Sequence, residues 1–282
     1  MQQELDTTLD SVRIDQWLAE DLGPGDVTTR ATVGADRAVR ARWIAKADGI
    51  VAGLAEALAV FRHLDPALIW QAEVSEGTRV RAGQTIATLS GTAHSVLSGE
   101  RLALNIAQRM SGIATETRRY VDAVAGYAAQ ILDTRKTVPG LRDLDKKAVA
   151  AGGGTNHRFG LYDLAMIKDN HIAAAGGIAP AVAAVRGDAP DIAIEVETTS
   201  LAEVDEALAA EVPMIMLDNM APAMMREAVA RVAGRARLEA SGNVTQASIA
   251  AIAATGVDFI SIGALTHSVT AFDISQRIAP ID

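Results

Sequence analysis

Six times between residues 130 and 265 the chain repeats one pattern: a short apolar run, a polar end, then an amphipathic stretch. The runs are "QILDTRK", "LAMIKDN", "IAIEVET", "PMIMLDN", "RLEASGN" and "FISIGAL". Stretches such as "LAEVDEALAAE", "APAMMREAVARVAG" and "TQASIAAIAATG" lie between them and space their apolar residues as helices do. Near-continuous apolar strands alternating with helices predict a parallel sheet covered by helices, an α/β fold class. Right-handed crossovers in series close such a sheet into a (β/α) barrel.

Before residue 113 the pattern is mixed. Val12, Ile14, Trp17, Leu18 and Leu22 predict a helix over 11–22, broken by "GPGDVTT". "AVRARWIAKADGIVAG" alternates like a strand, and "LAEALAVFRHL" is a short amphipathic helix. The stretch 67–97 reads as short strands with turns at Gly77, Gly83 and Gly91. "GERLALNIAQRMSGIATETRRYVDAVAG" predicts a long helix with a kink near Ser111-Gly112.

The positions of the polar residues point beyond fold. The six run ends carry Asp133, Arg135 and Lys136; Lys168, Asp169 and Asn170; Glu195 and Glu197; Asp218 and Asn219; Glu239, Ser241 and Gly242; Ser261 and Gly263. One or two polar strand ends reflect only wet loops. Six in a row converge on one rim, where parallel barrels place their active sites. "EASGNV" and "SIGALTHS" are small-residue loops after the last two runs, a common phosphate grip; the plainer reading is two ordinary turns. Glu197 and Asp218 suit Mg²⁺ with waters or sugar hydroxyls, or serve as counter-ions for Lys136 and Lys168. Arg135, Lys136, His157, Arg158 and Lys168 gather near the glycines of "AGGGTNHRFG". Arginine pairs with carboxylates bidentately, so a ligand with several negative charges is expected. No GxGxxG follows a strand, and HExxH is absent, which sets aside Rossmann and zinc-protease readings. His63 and His94 stand alone and read as structural.

Composition narrows the partners. The net charge of −9 makes nucleic acid a poor one. Absence of cysteine removes disulfides, thiolate metal sites and a Cys nucleophile. No apolar run reaches the ~18–20 residues of a membrane span. The polar, acidic N-terminal stretch lacks the pattern of a secretory signal. The expectation is a soluble cytoplasmic protein without membrane contact.

The run "LDTRKTVPGLRDLDKKAVAAGGGTNHRFGLYDLAMIKDNHI" strongly resembles the quinolinate phosphoribosyltransferases, or carboxylating nicotinate-nucleotide pyrophosphorylases. "EDLGPGDVTT", "SGERLALNIAQRMSGIAT", "IEVET", "IMLDN", "EASGNV" and "SIGALTHS" match in order, so the resemblance covers nearly the whole chain. It implies an N-terminal α/β sandwich over 1–112, which the tail 270–282 is a candidate to join, and an open (β/α) barrel over 113–269. It implies a pentosyltransferase of NAD biosynthesis. Quinolinate and phosphoribosyl pyrophosphate would give nicotinate mononucleotide, CO₂ and pyrophosphate, with Mg²⁺. It also implies a homodimer in which Arg101 reaches the partner's site.

By the same resemblance, Arg135, His157 and Arg158 take the quinolinate carboxylates. Lys136 and Lys168 lie between the two substrates. Glu197 and Asp218 fall at the ribose and Mg²⁺-pyrophosphate side. Ser241, Gly242, Gly263 and His267 fall at the phosphate loops. Lys136, Lys168, Glu197 and Asp218 form the expected catalytic group. Val138, Lys147 and Asn243 depart from the family pattern; at 243 glycine is more usual. The rival readings are a paralogous family linked to molybdenum transport, a nicotinate-specific phosphoribosyltransferase, a Schiff-base aldolase using Lys168, and a carrier module on residues 75–92.

Overall fold

A computed structural model describes residues 9–281. The first eight residues of the acidic N-terminal stretch, and Asp282 at the end of the tail, lie outside the described residues. The chain forms two compact units. One takes the residues up to Glu116, Asp143–Gly153 and the chain from Val269 onwards; the other takes Thr117–Arg142 and Gly154–Ser268.

The first unit is built on a four-stranded antiparallel sheet in the order Ile274–Pro280, Ala38–Ala45, Thr85–Thr92, Ile69–Ala72. Strict alternation on Ala38–Ala45 buries Val39, Ala41, Trp43 and Ala45 and leaves Arg40 and Arg42 exposed. Trp43 packs against Phe61 of the helix Leu54–Leu64 and against Trp70, with ring centroids 6.0 and 5.4 Å away. Asp10 caps the helix Ser11–Leu22 by accepting the Arg13 N–H at 2.8 Å. The long helix Ala93–Ala123 runs continuously through Ser111 and Gly112. Gly112 serves close packing: a Cβ there would overlap the backbone at Thr270. The Ser111 hydroxyl is buried and satisfied, accepting from Ala52 N–H and donating to its carbonyl. His63 pairs with Asp15 at 2.6 Å, and His94 bonds the Val33 carbonyl at 3.0 Å. Lys147 has a local explanation: its Nζ donates to the fully buried Glu56 at 2.8 Å. Nothing in the structure explains Val138, which is exposed.

The second unit holds all six runs as parallel strands. From first to sixth they are Gln130–Leu132, Ala165–Ile167, Ile194–Thr198, Met214–Asp218, Arg237–Ser241 and Phe259–Ser261. Their order across the sheet is first, sixth, fifth, fourth, third, second. The first and second strands are therefore its two edges, and the barrel is open between them. Thr155 lies against the first edge, donating its N–H to the Ile131 carbonyl at 2.8 Å. Ile194, Val196, Ile215, Leu217, Leu238 and Ala240 fill one buried face. Glu195, Glu197, Met216, Asp218, Glu239 and Ser241 occupy the alternate positions and so the other face. Among the described residues no helix is long and apolar enough to cross a membrane.

Candidate active site

The polar face of the second unit lines a cavity of about 540 Å³, a size typical of small-molecule sites. Arg135, Lys136, His157, Arg158, Lys168, Glu197, Asp218, Ser241 and Gly242 all line it. Gly263 and His267 do not; they flank Lys136, whose Cδ lies 2.9 Å from where a Cβ on Gly263 would sit. Arg101 is exposed on the helix Ala93–Ala123. Asn219, Glu239, Asn243 and Ser261 from the run ends and their loops also line the cavity, as do Met166 and Met216, which the sequence reading did not single out. Strand alternation could have found the two methionines, which sit two residues before Lys168 and Asp218.

Asp133, fully buried at the end of the first strand, accepts the His157 N–H at 2.8 Å and fixes the loop that follows the three glycines. Arg158, the next residue, donates to the Leu164 carbonyl at 3.1 Å and approaches Met166 Sδ at 3.6 Å. Among the described residues, the buried Nε of Arg135 has no hydrogen-bond partner. Burial, then the Arg135 charge, holds the Arg158 guanidinium below its ordinary range. A buried orphan donor beside a second cation is costly in an empty cavity and is relieved by a bound anion.

On the other side Lys168 forms an ion pair with Glu197. The Lys136 carbonyl accepts the Thr266 hydroxyl at 2.9 Å, which anchors the loop carrying that lysine. Asn219 donates to Asp218 Oδ2 at 2.8 Å. Glu197 and Asp218 are half-buried oxygen donors on neighbouring strands. That donor set fits Mg²⁺, which takes one or two carboxylates and completes its shell with water and phosphate.

Below these groups lies a second charged cluster. His157 Nε2 is 3.1 Å from both Glu195 and Glu239, and both carboxylates are fully buried. Burial alone would lower the imidazole, but the two carboxylates outweigh it and raise it to about 10. Burial raises Glu195 to about 7, against the pull of His157 and with the push of Glu239. Nδ1 accepts the Arg158 N–H at 2.6 Å, which disfavours a proton on that nitrogen. The two carboxylates face Nε2 and favour a proton on that nitrogen. The three residues have the spacing of metal ligands. A protonated Nε2 offers no lone pair, and a metal-bound His normally donates from its other nitrogen, so we do not read a metal centre here.

Known proteins share both this sequence and this fold. The model of the quinolinate phosphoribosyl transferase N-terminal domain matches residues 26–111, and that of its C-terminal domain matches residues 113–277. A probable carboxylating nicotinate-nucleotide pyrophosphorylase of Synechocystis sp. is 49% identical, over 94% of this chain and 91% of that protein. A carboxylating nicotinate-nucleotide pyrophosphorylase of Arabidopsis thaliana, named as chloroplastic, is 48% identical over 93% of this chain and 80% of its own. The solved nicotinate-nucleotide pyrophosphorylase of Francisella tularensis superposes with a TM-score of 0.93 at 40% identity, covering 99% of this chain and 100% of that one.

Proposed function

The chain belongs to the quinolinate phosphoribosyltransferase family, and we propose that the cavity of the second unit is where it runs the family's reaction. Quinolinate and phosphoribosyl pyrophosphate give nicotinate mononucleotide, CO₂ and pyrophosphate, a step of NAD biosynthesis. The observation that carries the site is the orphaned, buried Nε of Arg135 beside Arg158.

Arg135 and Arg158, with His157 at their side, hold the two carboxylates of quinolinate. Met166 and Met216 offer the pyridine ring a polarisable apolar surface. The ring nitrogen is thereby aimed at carbon 1 of the ribose, and most of the catalytic gain is orientation. As pyrophosphate leaves, the ribose becomes cationic, and Glu197 and Asp218 stabilise it. Lys168 holds Glu197 in place through their ion pair. Lys136 faces the leaving phosphates, with Ser241 and Gly242 at the donor's phosphate side. When bound between Glu197, Asp218 and the donor, Mg²⁺ would neutralise charge on the departing pyrophosphate. After the N–C bond forms, CO₂ departs from carbon 2 and leaves its electron pair there, stabilised by the adjacent pyridinium charge, until carbon 2 takes a proton. No covalent enzyme intermediate is needed.

The reading extends to a homodimer in which the exposed Arg101 enters the partner's cavity, to phosphate contacts by Gly263 and His267, and to a cytoplasmic location. The family resemblance supports the first two.

A Mg²⁺-dependent assay with quinolinate and phosphoribosyl pyrophosphate, following CO₂ and nucleotide together, tests the reaction. Equal amounts of both products from quinolinate are expected, and none from nicotinate. Nucleotide from nicotinate without CO₂ would move the protein to the non-decarboxylating class. Omitting Mg²⁺ should abolish turnover.

A further inference from the structure

Two asparagines at the cavity rim form a hydrogen-bonded chain that ends on Asp218. Asn243 Nδ2 donates to Asn219 Oδ1 at 3.0 Å, and Asn219 Nδ2 donates to Asp218 Oδ2 at 2.8 Å. The backbone joins the same two strand ends, with the Asn219 N–H donating to the Ser241 carbonyl at 2.8 Å.

The local conformation is committed to this arrangement. Asn219 and Asn243 have φ of 53° and 51°, in the left-handed region. Asparagine is among the few side chains that tolerate it. Gly242 has φ of 94°, and a Cβ on it would overlap the Asn219 amide. Its lack of a side chain therefore clears the space in which that amide reaches Asp218. Glycine at 243 would meet the same φ more cheaply but would bring no donor. The asparagine found there keeps the backbone and adds the first link of the chain.

An aspartate on an open rim can rotate its carboxylate freely. With Oδ2 held by an amide whose own orientation is fixed by a second amide, Oδ1 is left to face the cavity. We infer that Asn219 and Asn243 are positioning residues: Asn243 orients the Asn219 amide, and Asn219 orients the Asp218 carboxylate towards the phosphoribosyl donor. This rests on the reading that Asp218 serves the donor.

The test uses N243G, N219G, the double variant and D218N in the full-length protein. Glycine suits both left-handed positions, so the backbone survives, and thermal melting verifies it. The readouts are kcat/KM for phosphoribosyl pyrophosphate at saturating quinolinate with Mg²⁺, and the quinolinate Kd by calorimetry. N243G should lower donor kcat/KM about 3-fold and N219G about 10-fold, the range of one or two modest hydrogen bonds. Quinolinate affinity should not move. The double variant should match N219G alone, because Asn243 acts only through Asn219. Multiplicative losses in the double variant, an equal loss of quinolinate affinity, or no loss in either single variant overturns the relay. D218N separates the two levels. If it leaves the donor unaffected, the assignment of Asp218 fails and the relay with it. If it impairs the donor while the asparagine variants do not, only the relay fails.

Discussion

Buried charge is handled in opposite ways in the two units. In the first, buried carboxylates close on protein partners at Asp145 and Glu76, although one oxygen of the buried Glu56 has no hydrogen-bond partner among the described residues. Asp145 is fully buried, and both its oxygens take the Arg109 guanidinium at 2.8 Å. Glu76 accepts the Gly53, Leu54 and Ala55 N–H groups at the start of a helix. In the second unit, Arg135 keeps an orphan donor beside Arg158, and two buried glutamates share one histidine. Charge that satisfies itself serves folding. Charge left with open capacity is waiting for a ligand, and its cost is borne by the rest of the fold.

The largest effect should come from breaking the closed kind. Asp145→Ala strands a guanidinium against a buried cavity and should cost ~3–5 kcal/mol of unfolding free energy, read from urea denaturation. Quinolinate affinity of the folded protein should be unchanged. Arg135→Ala is the mirror case. It should weaken quinolinate binding by ~1.5–3 kcal/mol, the worth of hydrogen bonds to a charged group, and donor binding by much less. Stability should stay within about 0.5 kcal/mol of the parent. If Arg135→Ala unfolds the protein as readily as Asp145→Ala does, the distinction between the two kinds of charge collapses.

That distinction marks what the sequence could tell. The six strands were legible because Val, Ile, Leu and Met runs ending in Lys, Glu, Asp or Ser have few other readings. Nine of the assigned residues indeed line one cavity, from Arg135 at the first strand end to Gly242 after the fifth. Whether a charge is closed or open was not legible, because it depends on partners far along the chain: Glu195 and Glu239 meet at His157, and Glu56 finds Lys147. The packing role of Gly112 was hidden for a related reason. A helical glycine signals either a bend or a close neighbour, and only tertiary structure brings Thr270 to it. The left-handed Asn219 and Asn243 carry no local pattern that separates them from ordinary turn residues.

A pH titration sharpens the contrast further. Burial raises Glu195 from an ordinary 4.5 to about 7 in the folded state. Between those values the folded protein binds more protons than the unfolded chain, so this group makes stability fall as pH rises, by at most ~1.4 kcal/mol per pH unit. The effect should appear in chelator without substrates, and Glu195→Gln should flatten it. An identical slope in the variant would show that the proton resides elsewhere in the cluster.

The smallest effect concerns helix starts. Asp10 and Asp26 use their carboxylates to cap the helices Ser11–Leu22 and Val27–Thr32 of the first unit. After the fourth strand the helix Pro222–Val232 begins at Ala221 with no side-chain cap, although the backbone there, at φ −70° and ψ 152°, is that of a capping residue. Its nearest polar neighbours, Asp218 and Asn219, line the cavity and are not free to cap. Local helix stability has been left unclaimed beside a site whose polar groups are committed elsewhere. Ala221→Ser should recover it, adding ~0.5–1 kcal/mol to the unfolding free energy with donor and quinolinate kinetics unaltered. A gain in stability accompanied by slower turnover would mean instead that the uncapped start lets the neighbouring strand end move during catalysis.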